Sequence, residues 1–245
     1  GMFKAGNDEI GFSTASTERM RINGWGNVGI GVVPEADWEA NHRAVQMGMS
    51  TSVFGRSTAR QGGLLNNARI TGADYTTAKR IATGESTGYV QTSTGHDFLV
   101  AASGSADSAI SWTTAMTITN GADVLVGKTS TDLATAGYRI DPRGFTQNTR
   151  SAGTVAYYNR LTSDGEIINF SKDNTTVGSI QSRGSTVTSL ILDPRSSGCG
   201  LSGTSNAVMP TSNTGAIGDA NTSMDLGASG YSFRNAYLSG GVYLG

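Results

Sequence analysis

The chain carries one short pattern twice. Residues 19–31 read RMRINGWGNVGIG and residues 115–127 read AMTITNGADVLVG, so Met20, Ile22, Val28, Ile30 and Gly31 recur 96 positions later as Met116, Ile118, Val124, Val126 and Gly127. In both copies apolar residues alternate on either side of a polar turn, Asn23 to Asn27 and Thr119 to Asp123. That is the period-two signature of a hairpin with one buried face. Phe3, Ile10 and Phe12 precede the first copy much as Phe98, Ile110 and Trp112 precede the second, which extends the expected unit to several strands. A two-stranded ribbon with four apolar residues does not offset its ordering entropy in water. A spacing of 96 residues also exceeds the roughly 20 to 50 residues over which solenoid turns stack. The simplest partner is the same hairpin in sister chains, with Met20, Ile22, Val28, Ile30, Met116, Ile118, Val124 and Val126 forming a shared trimer core.

Composition sharpens the point. Leu, Ile, Val and Phe total 46 of 245 residues, just under the one-fifth at which a globular core becomes thin. A formal net charge of -1 with 15% charged residues lacks the self-repulsion that keeps a disordered chain open. Gly, Ser and Thr make up 92 residues and Pro only 4, which fits neither collagen nor a Pro-rich linker. These numbers predict an all-β chain of short strands and tight turns. The near-neutral charge gives no basic field for nucleic acid. No apolar run approaches the length of a membrane-spanning helix, and no secretory leader precedes the chain, so no membrane insertion is expected. One cysteine, Cys199, and two histidines, His42 and His96, build neither an internal disulfide nor a Cys/His zinc set, and no metal or cofactor is expected. Gly1 before Met2 resembles a tag remnant, and the chain stops inside an apolar alternation at 241–245, so a piece of a longer protein is expected.

Five segments follow: a hairpin repeat at 1–36, a β-rich module with one short helix at 37–114, the second hairpin and linker at 115–136, a β-rich module at 137–195, and a Gly/Ser-rich shaft with a C-terminal strand repeat at 196–245. The helix is placed at 34–44, where Pro34 is followed by Glu35, Asp37 and Glu39, then His42 and Arg43. Strands are expected at 44–49, 64–70, 79–82, 88–92 and 96–101. After Gly127 they are expected at 138–140, 154–161, 166–170, 177–181 and 186–192, with loop or weak structure over 196–223.

Chemistry-bearing motifs are few. Val126 to Ser130 ends in Gly-Lys-Thr-Ser, but position 122 is Ala where a phosphate loop needs Gly, so a strand and exit turn are expected. Asp164 and Glu166 in Ser-Asp-Gly-Glu read as turn and strand-edge residues rather than a glycosidase pair, as do Asp97 and Asp107. Cys199 lies in Ser-Ser-Gly-Cys-Gly with no base nearby in sequence and reads as a small residue in a tight shaft; His96 reads as a turn residue. Trp112 and Phe233 are expected in the core. Sugar rings stack on exposed aromatic faces, so Trp38, Tyr75, Tyr89, Tyr157 and Tyr158 are the candidate glycan-binding residues.

The unit MRINGWGNVGIG at 20–31 resembles the short hairpin repeated in tail fibres and tailspikes of tailed bacteriophages. YYNRLTSDGEIINFSKDNTTVGSI at 157–180 resembles a segment common in such fibres, and 217–243, through DLGASGYSFRNAYLSGGVY, resembles the element ahead of their C-terminal assembly domain. The resemblance implies a homotrimeric, elongated β-rich fibre at the virion tail, joined to other tail proteins and contacting a polysaccharide or envelope receptor of the host. Some relatives carry an endosialidase-type intramolecular chaperone after this point, and some cleave host glycans. No catalytic set carries over to this chain, which leaves adhesion as the expected role, with a glycan-degrading enzyme or a pure spacer as alternatives.

Overall fold

Short alternating segments separated by Gly, Asn and Ser find a pairing partner at every step along the chain. The computed structural model describes residues 1–214 and 224–242 and divides into two compact units, Gly1–Val155 and Ala156–Gly245. Residues 217–223 and 243 of the fibre-like C-terminal element lie outside the described residues.

The first unit contains β1 (Met2–Gly6), β2 (Glu9–Thr14), β3 (Thr17–Ile22), β4 (Val28–Ile30), β5 (His42–Met47), β6 (Thr51–Arg56), β7 (Gly62–Asn66), β8 (Arg69–Ile70), β9 (Ala78–Lys79), β10 (Gly84–Thr92), β11 (Gly95–Gly104), β12 (Thr113–Thr119), β13 (Val124–Val126), β14 (Gly137–Ile140) and β15 (Thr146–Thr149). All but β8 and β9 form one 13-stranded sheet in chain order. Its neighbours are antiparallel except for the parallel pair β4–β5, where the connection between Ile30 and His42 crosses over. The second unit contains β16 (Gly165–Lys172), β17 (Thr175–Arg183), β18 (Val187–Ile191), β19 (Cys199–Gly203) and β20 (Val208–Ser212) as a five-stranded antiparallel meander. The described residues contain no helix, and the fold is all-β.

Residues 34–44 correct the expected helix. Their backbone groups bond across the fold rather than along a helix: Glu35 N–H donates to the Gln46 side chain (3.0 Å) and Glu39 N–H to the Ile70 carbonyl (2.9 Å). Asp37 pairs with Arg69 at 2.5 Å, Trp38 is buried, and His42 and Ala44 already belong to β5. Tertiary bonds override a favourable helix pattern here.

The connections between β4 and β5, between β7 and β10, and between β11 and β12 cap one face of the sheet. Under that cap lie Trp38, Ala44, Phe54, Leu65, Ala68, Ile70, Val90, Leu99 and Ile110, with Tyr75 and Trp112 packed at the margin. Two buried arginines tie the cap down. Arg69 reaches Asp37, Asp107 and the Arg80 carbonyl, and Arg80 donates to the carbonyls of Gly84, Ala102 and Ala109. A buried guanidinium is tolerated only with its donors paired, and these are.

Other expectations change. Residues 154–161 form no strand, because no sheet edge pairs with them; Val155, Tyr157, Tyr158 and Leu161 are exposed. Residues 199–212 are two strands, not loop: their inward positions are small and polar, and Ser189 and Ser202 are buried with hydroxyls 2.5 Å apart. Cys199 is exposed on β19, and His96 lies in β11 rather than a turn. Phe233 is exposed outside any strand, while Trp112 is half-buried with its indole N–H on the Tyr75 carbonyl (3.0 Å).

Candidate functional site

The two hairpins close alike. In the first, Met20 faces Ile30 and Ile22 faces Val28; in the second, Met116 faces Val126 and Ile118 faces Val124. Asn23 N–H bonds the Asn27 carbonyl and Gly26 N–H the Asn23 carbonyl, matched by Thr119 on Asp123 and Ala122 on Thr119. Gly26 and Ala122 share positive φ angles of 80° and 64°. At the exits Gly31 and Gly127 sit at φ 67° and 68°, and their N–H groups bond the carbonyls of Arg19 and Ala115. The recurring glycine is therefore a backbone requirement.

The upstream match is corrected. The strand preceding each hairpin is β2 in one copy and β11 in the other, and it is His96 and Phe98, not Ile110 and Trp112, that stand where Ile10 and Phe12 stand. Two positions adapt each copy to its neighbours. Asn27 accepts the Ala44 N–H (3.0 Å), whereas Asp123 binds Arg139 (2.7 Å). Gly29 lies under Val32 and Pro34, where a Cβ would come within 2.1 Å of the Val32 carbonyl; its counterpart Leu125 is fully buried.

The face opposite the cap is open. Cross-strand pairing places Ile10, Ile22, Val28, Val45, Val53, Leu64, Tyr89, Phe98, Met116, Val126 and Tyr138 in one row from β2 to β14, with no charged or amide side chain in it. All eight hairpin residues Met20, Ile22, Val28, Ile30, Met116, Ile118, Val124 and Val126 lie on this face, half-buried or exposed. Ile10, Ile30, Met47, Val53, Leu64, Val100, Val126 and Ile140, also on it, are 39% to 46% exposed. The second unit repeats the arrangement on a smaller scale: Ile168, Ile180, Leu190, Leu201 and Pro210 form a row.

The aromatic candidates scatter. Trp38 is 6% exposed and belongs to the core, so it offers no face to a sugar. Tyr75 packs at the core margin and donates its hydroxyl to Asp97 (3.0 Å); burial, then Asp97, pushes its pKa up to about 12. Tyr89 stands in the open row, stacked on His96 at 5.9 Å and against Phe98 at 5.0 Å, with its hydroxyl 2.7 Å from His96 Nδ1. Tyr157 and Tyr158 are exposed in the second unit, away from any strand. Within the first unit Trp38 and Tyr75 share one core, while Tyr89 stands apart from them on the open face.

The acids and the Gly-Lys-Thr-Ser motif hold structure. Lys128 is buried and its ammonium donates to the carbonyls of Asp132 and Thr135. Asp97 accepts from Tyr75 and Thr117, Asp107 pairs with Arg69, Asp164 accepts the Ser185 N–H, and Glu166 accepts from Asn169. Asp141 is held well below the usual carboxylate range by Arg143, with Arg139 adding to the effect and burial opposing it. Among the described residues no three His, Cys, Asp or Glu side chains group to hold a metal ion, and no helix is long and apolar enough to cross a membrane.

Sequence reasoning missed one surface feature. Trp25, inside the first hairpin turn, is 63% exposed and lines a cleft of about 400 Å³ with Asn7, Asp8, Glu9, Asn23 and Pro34. Its signal is in the repeat itself: the matching position is Gly121.

Comparison of the chain with protein-family models, with curated proteins and with solved structures finds no match.

Proposed function

We propose that the chain is a segment of a homotrimeric bacteriophage tail fibre or tailspike, structural and adhesive, which associates through the open sheet face. At the virion tail, beside other tail proteins, it presents loops to a polysaccharide or envelope receptor of the bacterial host. The observation that carries the reading is the uninterrupted apolar row from Ile10 to Tyr138, on the face opposite the core. Contiguous apolar surface on this scale marks an interface. Three copies about one axis bring equal faces together and close the association at a fixed number. The fibre-like stretches 20–31, 157–180 and 217–243 support the same reading. Three identical sites on one axis raise effective concentration, so millimolar single-site affinity gives firm attachment.

The test is light scattering on the chain at micromolar concentration, followed by incubation with host polysaccharide and a reducing-end assay. A trimer that retains polysaccharide without new reducing ends supports the reading, and a monomer contradicts it. Release of reducing ends assigns the glycan-degrading alternative, and a trimer with neither retention nor cleavage is a spacer.

A further inference from the structure

The hairpin turn does not need Trp25. Gly121 occupies its place in the second copy, where the turn closes with the same backbone bonds. The neighbouring position differs as well: Asn120 in the second copy ties its turn to the Ser93 carbonyl (2.6 Å), while Gly24 in the first makes no such tie and a Cβ there would rest in ordinary contact with Asp8 at 3.4 Å. A large apolar ring thus stands 63% exposed where the fold asks for none. Around it the polar groups are available. Among the described residues the side chains of Asn7 and Asp8 have no hydrogen bond or ion pair, while Glu9 pairs at 3.0 Å with Arg21, which it shares with Glu18. Asn23 spends its carbonyl oxygen on the Trp25 and Asn27 N–H groups (3.1 and 2.9 Å), and that fixes the amide at the cleft wall.

An indole face beside amides and one unpaired carboxylate is the chemistry that holds a sugar ring: the C–H face stacks on the ring and adjacent hydroxyls pair with the carboxylate and amides. The volume of about 400 Å³ suits a small ligand. We propose that this cleft binds a neutral hexopyranose unit of a surface glycan, with Trp25 as the stacking platform and Asp8, Asn7 and Asn23 taking the hydroxyls. The unpaired Asp8 carboxylate sets specificity by repelling acidic sugars. The proposal deepens the adhesive reading and rests on it for the class of partner, but it does not depend on the trimer.

The test titrates the full chain with chitotetraose, maltotetraose, cellotetraose and tetragalacturonate, following intrinsic tryptophan fluorescence, with light scattering on the same samples. Trp38 and Trp112 are buried and half-buried, so Trp25 dominates a ligand-induced change. A saturable change with at least one neutral tetrasaccharide and none with tetragalacturonate is expected. Trp25→Gly, which copies the second hairpin, weakens that binding about tenfold or more, read by calorimetry, with unchanged circular dichroism and oligomeric state. Asp8→Asn, a residue that tolerates the positive φ at this position, keeps neutral-sugar binding within about threefold and narrows the discrimination against tetragalacturonate. Absence of binding by all three neutral tetrasaccharides, or undiminished binding by Trp25→Gly, overturns the proposal. A trimer that fails to bind overturns the cleft and leaves the fibre reading standing; a monomer that binds through Trp25 does the reverse.

Discussion

Trp38 and Trp25 show how differently one residue type is used within a short stretch of chain. Trp38 is enclosed by the cap, so Trp38→Ala costs about 3 to 5 kcal/mol in chemical denaturation. Tyr157→Ala, at a side chain 83% exposed, shifts the same transition by less than about 0.5 kcal/mol. Neither direction was legible beforehand, because an aromatic in a Gly- and Ser-rich context carries no mark of which surface it meets. Tyr75 adds a pH dependence. Its folded-state pKa is raised to about 12 by burial and by Asp97, whereas an unfolded tyrosine ionises near about 10. Its contribution is therefore complete below about pH 10 and is lost as pH rises through the folded value. Tyr75→Phe flattens the fall of the unfolding midpoint between about pH 10 and 12 relative to the parent. Asp141 acts at the other end: its carboxyl is lowered first by Arg143, so its contribution is present above about pH 3.9 and is lost as pH falls through the lowered value.

At the scale of elements, the hairpin was the most legible part of the chain, since alternation and a recurring glycine specify both register and exit. Its turn makes a sharp prediction. Ala122 sits at φ 64° where the first copy has Gly26, so Ala122→Gly stabilises the fold by about 1 kcal/mol and Gly26→Ala destabilises it by a similar amount, each measured by denaturant midpoint. The strands β6, β19 and β20 were not legible. Thr51 to Arg56 mixes polar and apolar residues without a clean period, and β19 and β20 bury Ser202 and Thr211 where an apolar signal would be sought. Residues 34–44 misled in the opposite way: proline followed by acids reads as a helix start, yet Asp37, Trp38 and Glu39 are spent on Arg69, the core and Ile70. The Trp25 cleft was hidden because it joins the β1–β2 and β3–β4 turns, which are adjacent only once the sheet is formed.

For the molecule as a whole, the shortage of apolar residues read from composition has a structural counterpart: what apolar surface exists is divided between a capped face and an open one. Leu64 stands near the middle of the open row, opposite the cap, and is 46% exposed. On the trimer proposed above, Leu64→Lys leaves the β-sheet circular dichroism intact and lowers the mass read by light scattering, because a charge brought into an apolar contact must be desolvated. The same substitution at buried Leu65 unfolds the chain instead. One copy leaves the apolar row of its own sheet uncovered. Sedimentation equilibrium of the chain at micromolar concentration tests this most directly: a mass three times 25.3 kDa is predicted, and a folded species at the monomer mass, stable without self-association, contradicts the account.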